Sequence, residues 1–226
     1  MLGNKLYITV GQSTTGGGGA IWSGKPDPTA DVPQLYREYT STDSWTQGGG
    51  TVYEDMYGIA ANNDFNSNTF RACVTGDGGN IYYSDRVGNE PSTWNKTYTT
   101  PVPSTGGRIG LTGIAHGDGY WIAVGQNNTV VTSSNGIDWT LTQGAVQGSD
   151  WQWICFGAGR FVAIGGVVVD GKTVGTIMFS DDGGATWTKG SSGTDKFLYS
   201  IAYSPELNVF AAVGEAGTIV SVKGPE

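Results

Sequence analysis

One short phrase, written five times, constrains this chain more than any other feature. Each copy is an apolar run closing on Val/Ile-Gly, a polar turn, then a small or polar residue, an apolar pair or triplet, and Ser or Thr. The first copy is Leu6-Tyr7-Ile8-Thr9-Val10-Gly11 with Ala20-Ile21-Trp22-Ser23, and the second is Phe70-Arg71-Ala72-Cys73-Val74 with Asn80-Ile81-Tyr82-Tyr83-Ser84. The third is Tyr120-Trp121-Ile122-Ala123-Val124-Gly125 with Thr129-Val130-Val131-Thr132. The fourth is Phe161-Val162-Ala163-Ile164-Gly165 with Thr176-Ile177-Met178-Phe179-Ser180. The last is Val209-Phe210-Ala211-Ala212-Val213-Gly214 with Thr218-Ile219-Val220-Ser221. A repeat of this length marks an array of like supersecondary units, each too small to bury its own apolar face.

Around the phrase, further columns recur. Gly58-Ile59-Ala60, Gly113-Ile114-Ala115, Trp153-Ile154-Cys155 and Ser200-Ile201-Ala202 precede it and read as a strand A. The phrase supplies strands B and C. A strand D is expected around Trp45, Trp94, Trp139 and Trp187. Turns such as His116-Gly117-Asp118-Gly119 and Gln126-Asn127-Asn128 separate the strands, as short hairpins require. Strands such as Trp121-Ile122-Ala123-Val124 are apolar on both faces, which suits a sheet packed between two others. Four-stranded sheets arranged radially meet that demand, so the expected fold is an all-β, five-bladed β-propeller. It forms one domain, 1–226, with blades near 1–50, 51–104, 105–147, 148–190 and 191–226. The first blade is expected to lack strand A and the last to lack strand D.

Composition narrows the partners. The 226 residues include 38 Gly, only 14% charged residues and a net charge of −8. That balance argues against nucleic acid, which needs clustered Lys and Arg. No apolar run of about 18 residues exists, so no membrane insertion is expected. Residues 1–12 lack the layout of a signal peptide. Cys73 is aligned with Thr9, Ala123, Ala163 and Ala212, and Cys155 with Ala60, Ala115 and Ala202. Both read as small buried residues, free rather than disulfide-bonded.

The fourth repeat continues as Ser180-Asp181-Asp182-Gly183-Gly184-Ala185-Thr186-Trp187. This resembles the Asp-box (BNR) repeat of sialidase-like propellers and of several non-enzymatic ones. The third repeat resembles a degraded copy, with Thr132, Ser134, Gly136 and Trp139 in the Ser, Asp, Gly and Trp positions. The resemblance implies that Ser180, Asp182, Gly184 and Trp187 are structural. The Asp and Ser fold a turn and the Trp packs beneath it, which is ordinary side-chain-to-backbone turn chemistry.

A sialidase resemblance would imply an arginine triad, and the chain has five arginines: Arg37, Arg71, Arg86, Arg108 and Arg160. The family's Phe-Arg-Ile-Pro signature is missing. Arg71 is aligned with Tyr7, Trp121, Phe161 and Phe210, where a stem packed on aromatics with its head on an acid explains it. His116 is the sole histidine and shares a column with Ala61, Phe156 and Tyr203, which reads as packing. No catalytic residue, metal ligand or cofactor is expected.

Loops from strand D to the next strand A approach the axis on one face, where propellers usually bind partners. From these loops the expected ligand contacts are Tyr53, Tyr57, Arg108, Asp150 and Trp151. Aromatic rings beside carboxylates suit sugars, and equally suit a protein contact or loop packing. Phrases such as Ser134-Asn135-Gly136-Ile137-Asp138-Trp139 resemble those of propellers in bacteriophage structural proteins. The expected role is therefore a non-enzymatic binding or structural module of a virion, in a tail, fibre or capsid-surface position. Its partners would be other virion proteins or a host-surface glycan. A soluble lectin and a sialidase-like glycosidase are the alternatives. The apolar, β-branched strand Thr218-Ile219-Val220-Ser221-Val222 is expected to offer an edge for pairing with a partner strand.

Overall fold

The structure, a computed structural model, describes residues 7–12, 19–24, 37–40, 55–62, 70–87, 90–91, 94–101 and 109–225. It is a five-bladed β-propeller whose first and last blades are three-stranded among the described residues. Blade one is β1 (Tyr7–Gln12), β2 (Gly19–Gly24) and β3 (Arg37–Thr40). Blade two is β4 (Met56–Ala61), β5 (Arg71–Gly76), β6 (Asn80–Val87) and β8 (Asn95–Thr99), with the two-residue β7 (Glu90–Pro91) paired to the far end of β6. Blade three is β9 (Leu111–Gly117), β10 (Tyr120–Gly125), β11 (Thr129–Ser133) and β12 (Thr140–Gln143). Blade four is β13 (Asp150–Gly157), β14 (Arg160–Val169), β15 (Lys172–Ser180) and β16 (Thr188–Gly190). Blade five is β17 (Leu198–Ser204), β18 (Val209–Gly214) and β19 (Ile219–Lys223).

Every described pairing is antiparallel and, apart from β6 with β8, joins chain neighbours, so each blade is a meander. The innermost strands follow one another around the axis as β1, β4, β9, β13 and β17. Tight turns make the meander possible. Gly78-Gly79, Asn127-Asn128, Asp170-Gly171 and Ala216-Gly217 all have positive φ at both residues. That is the twist a two-residue hairpin needs between right-twisted strands.

The glycine that closes the phrase has a steric cause. A Cβ on Gly76, Gly125, Gly165 or Gly214 would stand 2.7, 2.1, 2.0 or 2.2 Å from the carbonyl oxygen of Asp55, Gly110, Asp150 or Phe197. The chain entering strand A crosses directly over the end of strand B, and only a hydrogen fits there. Side chains between blades form the core. One cluster joins Ile122, Val124 and Val130 of blade three to Ile154, Phe161 and Met178 of blade four.

Several expectations shift. Strand D of the first repeat is Arg37–Thr40, not the surroundings of Trp45, which lies outside the described residues. Arg37–Thr40 carries Tyr39 and Thr40, good strand formers. In the later blades strand D begins just after its Trp.

Repeat two is displaced by one residue from the sequence alignment. Val74 pairs with Ile59, as Ala123 pairs with Ile114 and Ala163 with Ile154. Cys73 therefore stands with Ile122 and Val162, and Arg71 with Tyr120 and Arg160. The cause is Thr75-Gly76, where the other copies end in Val-Gly or Ile-Gly. A one-residue slip moves every side chain to the opposite face.

Candidate functional site

The two ends of the propeller differ in their local geometry. At the rim where strands C and D meet, the 180–187 turn is closed by side chains. Ser180 Oγ accepts the Gly184 N–H at 2.9 Å and donates to Asp182 Oδ1 at 2.8 Å. The Asp182 carboxylate accepts the Thr186 N–H at 2.9 Å and the Thr186 hydroxyl at 2.6 Å. These bonds hold the Asp182 carboxyl below its usual range, the Thr186 hydroxyl first and its N–H next. Blade three makes the same turn one residue shorter. Ser133 Oγ accepts the Gly136 N–H at 2.8 Å, and Asn135 Oδ1 accepts the N–H groups of Ile137 and Asp138, both at 2.8 Å. Asn135 Nδ2 donates to Asp138 Oδ2 at 2.8 Å, reversing the donor and acceptor roles of Asp182 and Thr186. The turn residues are thus Ser133 and Asn135 rather than Thr132 and Ser134.

These turns cement blades. Gly136, at φ +71, sits against Arg71 and Cys73 of blade two, and Gly184, at φ +86, sits against Ile122 and Thr132 of blade three. Arg71 adds an ion pair to Asp85 at 2.5 Å and donates to the Asn135 carbonyl of the next blade. Its guanidinium also lies 4.9 Å from the centre of the Tyr83 ring. Arg160 repeats the motif with Asp181 at 2.5 Å, over Phe179. The His116 ring packs at a tilt against Trp121 with centroids 4.4 Å apart, as Phe156 does against Phe161 and Tyr203 against Phe210, each at 4.7 Å. Burial lowers the imidazole's pKa.

The opposite face, where D–A loops meet B–C turns, is the candidate site. On β4, β9, β13 and β17 the register skips one residue near the mouth of the axis: Tyr57, Thr112, Gln152 and Tyr199. A bulge of this kind re-aims a side chain. Tyr57 and Tyr199 are 41% and 48% exposed, high values for tyrosines on inner strands. Each has a carboxylate from the neighbouring B–C turn. Tyr199 Oη donates to Glu215 Oε1 at 3.3 Å. Burial, then Asp77 and Asp55, raise the Tyr57 pKa. Asp77 and Glu215 hold one position in two blades, since their N–H groups donate to the Asp55 and Phe197 carbonyls at 2.8 and 2.9 Å. Gln126 takes that position in blade three, donating to the Gly110 carbonyl at 3.2 Å. Thr112 is already engaged, donating to the Trp151 carbonyl at 2.6 Å.

The expected ligand contacts separate on inspection. Tyr57 is at the mouth. Asp150 is exposed and braces the face, its Oδ1 accepting the Asn127 N–H at 2.9 Å. Trp151 is a correction: it is fully buried, with Nε1 donating to Asn128 Oδ1 at 3.1 Å. Strand A starts at Asp150, and Trp151, one residue on, turns into the interface between blades three and four. Tyr53 and Arg108 lie outside the described residues. Sequence reasoning missed Tyr199 and Glu215, although Tyr199 stands one place before Ser200-Ile201-Ala202, as Tyr57 stands before Gly58-Ile59-Ala60.

No family model matches the chain, and no curated protein matches it. Solved structures do. The computationally designed Ika4 protein is similar at 14% identity and a TM-score of 0.56, over 80% of this chain and 96% of that one. A chain of a nidogen/laminin complex is similar at 10% identity and a TM-score of 0.62, over 97% of this chain and 74% of that one. YCF48 bound to a D1 peptide is similar at 13% identity and a TM-score of 0.60, over 100% of this chain and 62% of that one. At such identities the likeness is one of fold.

Proposed function

We propose that this chain is a non-enzymatic binding and structural module of a bacteriophage virion, in a tail, fibre or capsid-surface position, with the axial mouth as its contact surface. The observation that carries the binding reading is the pair of half-exposed tyrosines, Tyr57 and Tyr199, each on a bulge and each beside a turn carboxylate. Aromatic faces flanked by carboxylates suit a host-surface glycan, and suit a peptide of another virion protein as well. The virion placement rests on the resemblance of sequence phrases such as Ser134-Asn135-Gly136-Ile137-Asp138-Trp139 to those of bacteriophage structural propellers. The 180–187 turn, with its Ser180–Asp182 bonding, supports the Asp-box resemblance in a structural role. The outer edge of residues 219–222 in β19, with which no other described strand pairs, is offered as a further contact for a partner strand.

A sialidase-like reading is weaker because Arg71 and Arg160 are committed to Asp85 and Asp181 at the rim, away from the mouth. A lectin is the second reading, favoured by the same tyrosines. Mass spectrometry of purified phage particles tests the placement, and absence of the chain there overturns it. A glycan array and an immobilised peptide panel test the mouth. Binding by the wild type should be lost, about tenfold or more, in the double variant Tyr57→Ala, Tyr199→Ala, with Tm nearly unchanged. Turnover of a fluorogenic sialoside would overturn the non-enzymatic reading.

A further inference from the structure

Blade four departs from its neighbours at the B–C turn. In blades two, three and five, strand B stops at the closing glycine, Gly76, Gly125 or Gly214. In blade four, β14 runs four residues past Gly165 and β15 starts four residues before Thr176. The resulting finger, 166–175, turns at Asp170-Gly171 and reaches about 13 Å beyond the glycine. It stands on the face of the mouth and carries three exposed valines, Val168 at 69%, Val169 at 49% and Val174 at 37%. Val168 lies on the same side of the finger as Gly166, where a Cβ would stand 2.5 Å from the Phe197 ring. The Phe197 ring in turn lies 5.4 Å from that of Tyr199. An apolar track therefore runs from the finger to the mouth.

The inner edge of the finger is a strand without a described partner. β13 pairs with β14 only as far as Gly166, opposite Asp150. On the outer edge, the Gly175 N–H donates to the Thr194 carbonyl at 3.3 Å. Backbone groups alternate along a strand, so Thr173 also turns its N–H and C=O outward. Val168, opposite Thr173, turns its own to the inner edge, beside the axis. Edges of this kind are normally blunted by charge, proline or a bulge, whereas 167–169 is three valines in a row. Among its described residues the face is also acidic. Asp55, Asp77, Asp150, Asp170, Asp195 and Glu215 stand against Lys172 and Lys196, an excess of four negative charges. Lys196 is already paired with Asp195 at 3.3 Å.

We propose that the inner edge of the finger takes an extended, cationic segment of a partner protein as an added strand. The segment bonds main chain to main chain at Val168 and lays apolar side chains along Val168, Phe197 and Tyr199. Its lysines or arginines sit among the carboxylates of the mouth. The inference rests on the mouth being the contact surface, and it selects a peptide over a glycan there.

The probe is a short labelled peptide alternating lysine and valine, titrated into the full chain at low salt and read by fluorescence polarisation. It should bind at least about tenfold more tightly than its glutamate–valine counterpart, and than a copy methylated on its backbone nitrogens. Val168→Pro removes the N–H that faces the added strand and spares the β14–β15 ladder. It should weaken binding about tenfold or more with Tm nearly unchanged, while Thr173→Pro on the outer edge should bind as the wild type does. Hydrogen exchange decides if Val168→Pro fails to fold: the wild-type Val168 amide, fast in the free chain, should slow about tenfold near saturation. Equal affinity for the lysine and glutamate peptides, full binding by a folded Val168→Pro, or unchanged exchange overturns the proposal. So does a glycan that binds where no peptide does. Loss of peptide binding in Tyr57→Ala, Tyr199→Ala, with full binding by Val168→Pro, keeps the mouth and removes the finger. Slowed Val168 exchange with full binding by the tyrosine double variant keeps the added strand and removes the tyrosine contact.

Discussion

Gly165 has no space for a side chain: a Cβ there would lie 2.0 Å from the Asp150 carbonyl oxygen and 2.9 Å from the Trp151 Cα. Both neighbours are backbone, so relief requires moving the start of strand A. Gly165→Ala should cost about 1–3 kcal/mol or more, as overpacking does. For a chain of this size that is roughly 3 °C of Tm per kcal/mol. Gly110 is the control. A Cβ there meets nothing nearer than 3.8 Å, and its φ is not positive. Gly110→Ala should stay within about 0.5 kcal/mol of the wild type. Thermal melts of the two variants should differ clearly, and similar melts would show that the crossing over strand B does not explain the glycine column.

At the scale of an element, the C–D turn is the unit that joins blade to blade. Asp182 accepts both bonds from Thr186, so Asp182→Ala leaves the Thr186 N–H and the Ser180 hydroxyl without that partner. The expected loss is about 1–3 kcal/mol. The pH dependence has a definite sign. The folded carboxyl is held below its unfolded value of about 3.9. Its contribution is therefore present above that value and lost as pH falls through the folded value. The Tm gap between wild type and Asp182→Ala should be flat above about pH 5 and should narrow below about pH 4. A gap that persists undiminished at pH 2.5 would remove the carboxylate bonds as the cause. Mouth binding should survive the substitution, since the turn lies at the rim.

Across the whole molecule, the thiols report on cooperativity. Cys73 is fully buried, its Sγ 3.6 Å from the Gly136 carbonyl oxygen of the next blade. Burial pushes the Cys155 thiol up to about 12 and the Cys73 thiol up further. The thiolate is the reactive species, so neither group should react in the native protein at pH 8. Both should become reactive together as urea unfolds the propeller, because each sits at an interface between blades. Rapid modification of either thiol without denaturant, or a mass that shows an internal disulfide, would contradict this.

The repeat phrase by itself determined the all-β propeller, the five blades, the order of strands within each and the hairpin turns. Those are local matters: strand period, turn glycines and the Gly that must pass under a carbonyl are written within a few residues of one another. It also placed Tyr57 on the face of the D–A loops and His116 in its aromatic column. What only the tertiary structure decided is which way a side chain looks. Period-two strands are read equally well in two registers, and repeat two, with Thr75-Gly76 for Val-Gly, takes the one its phrase does not suggest. The inter-strand ladder moved Arg71 and Cys73 to the opposite face. The same dependence buried Trp151 while its neighbour Asp150 stayed exposed. It also raised Tyr199 to the mouth, because a bulge exists only where one strand sets an extra residue against its partner.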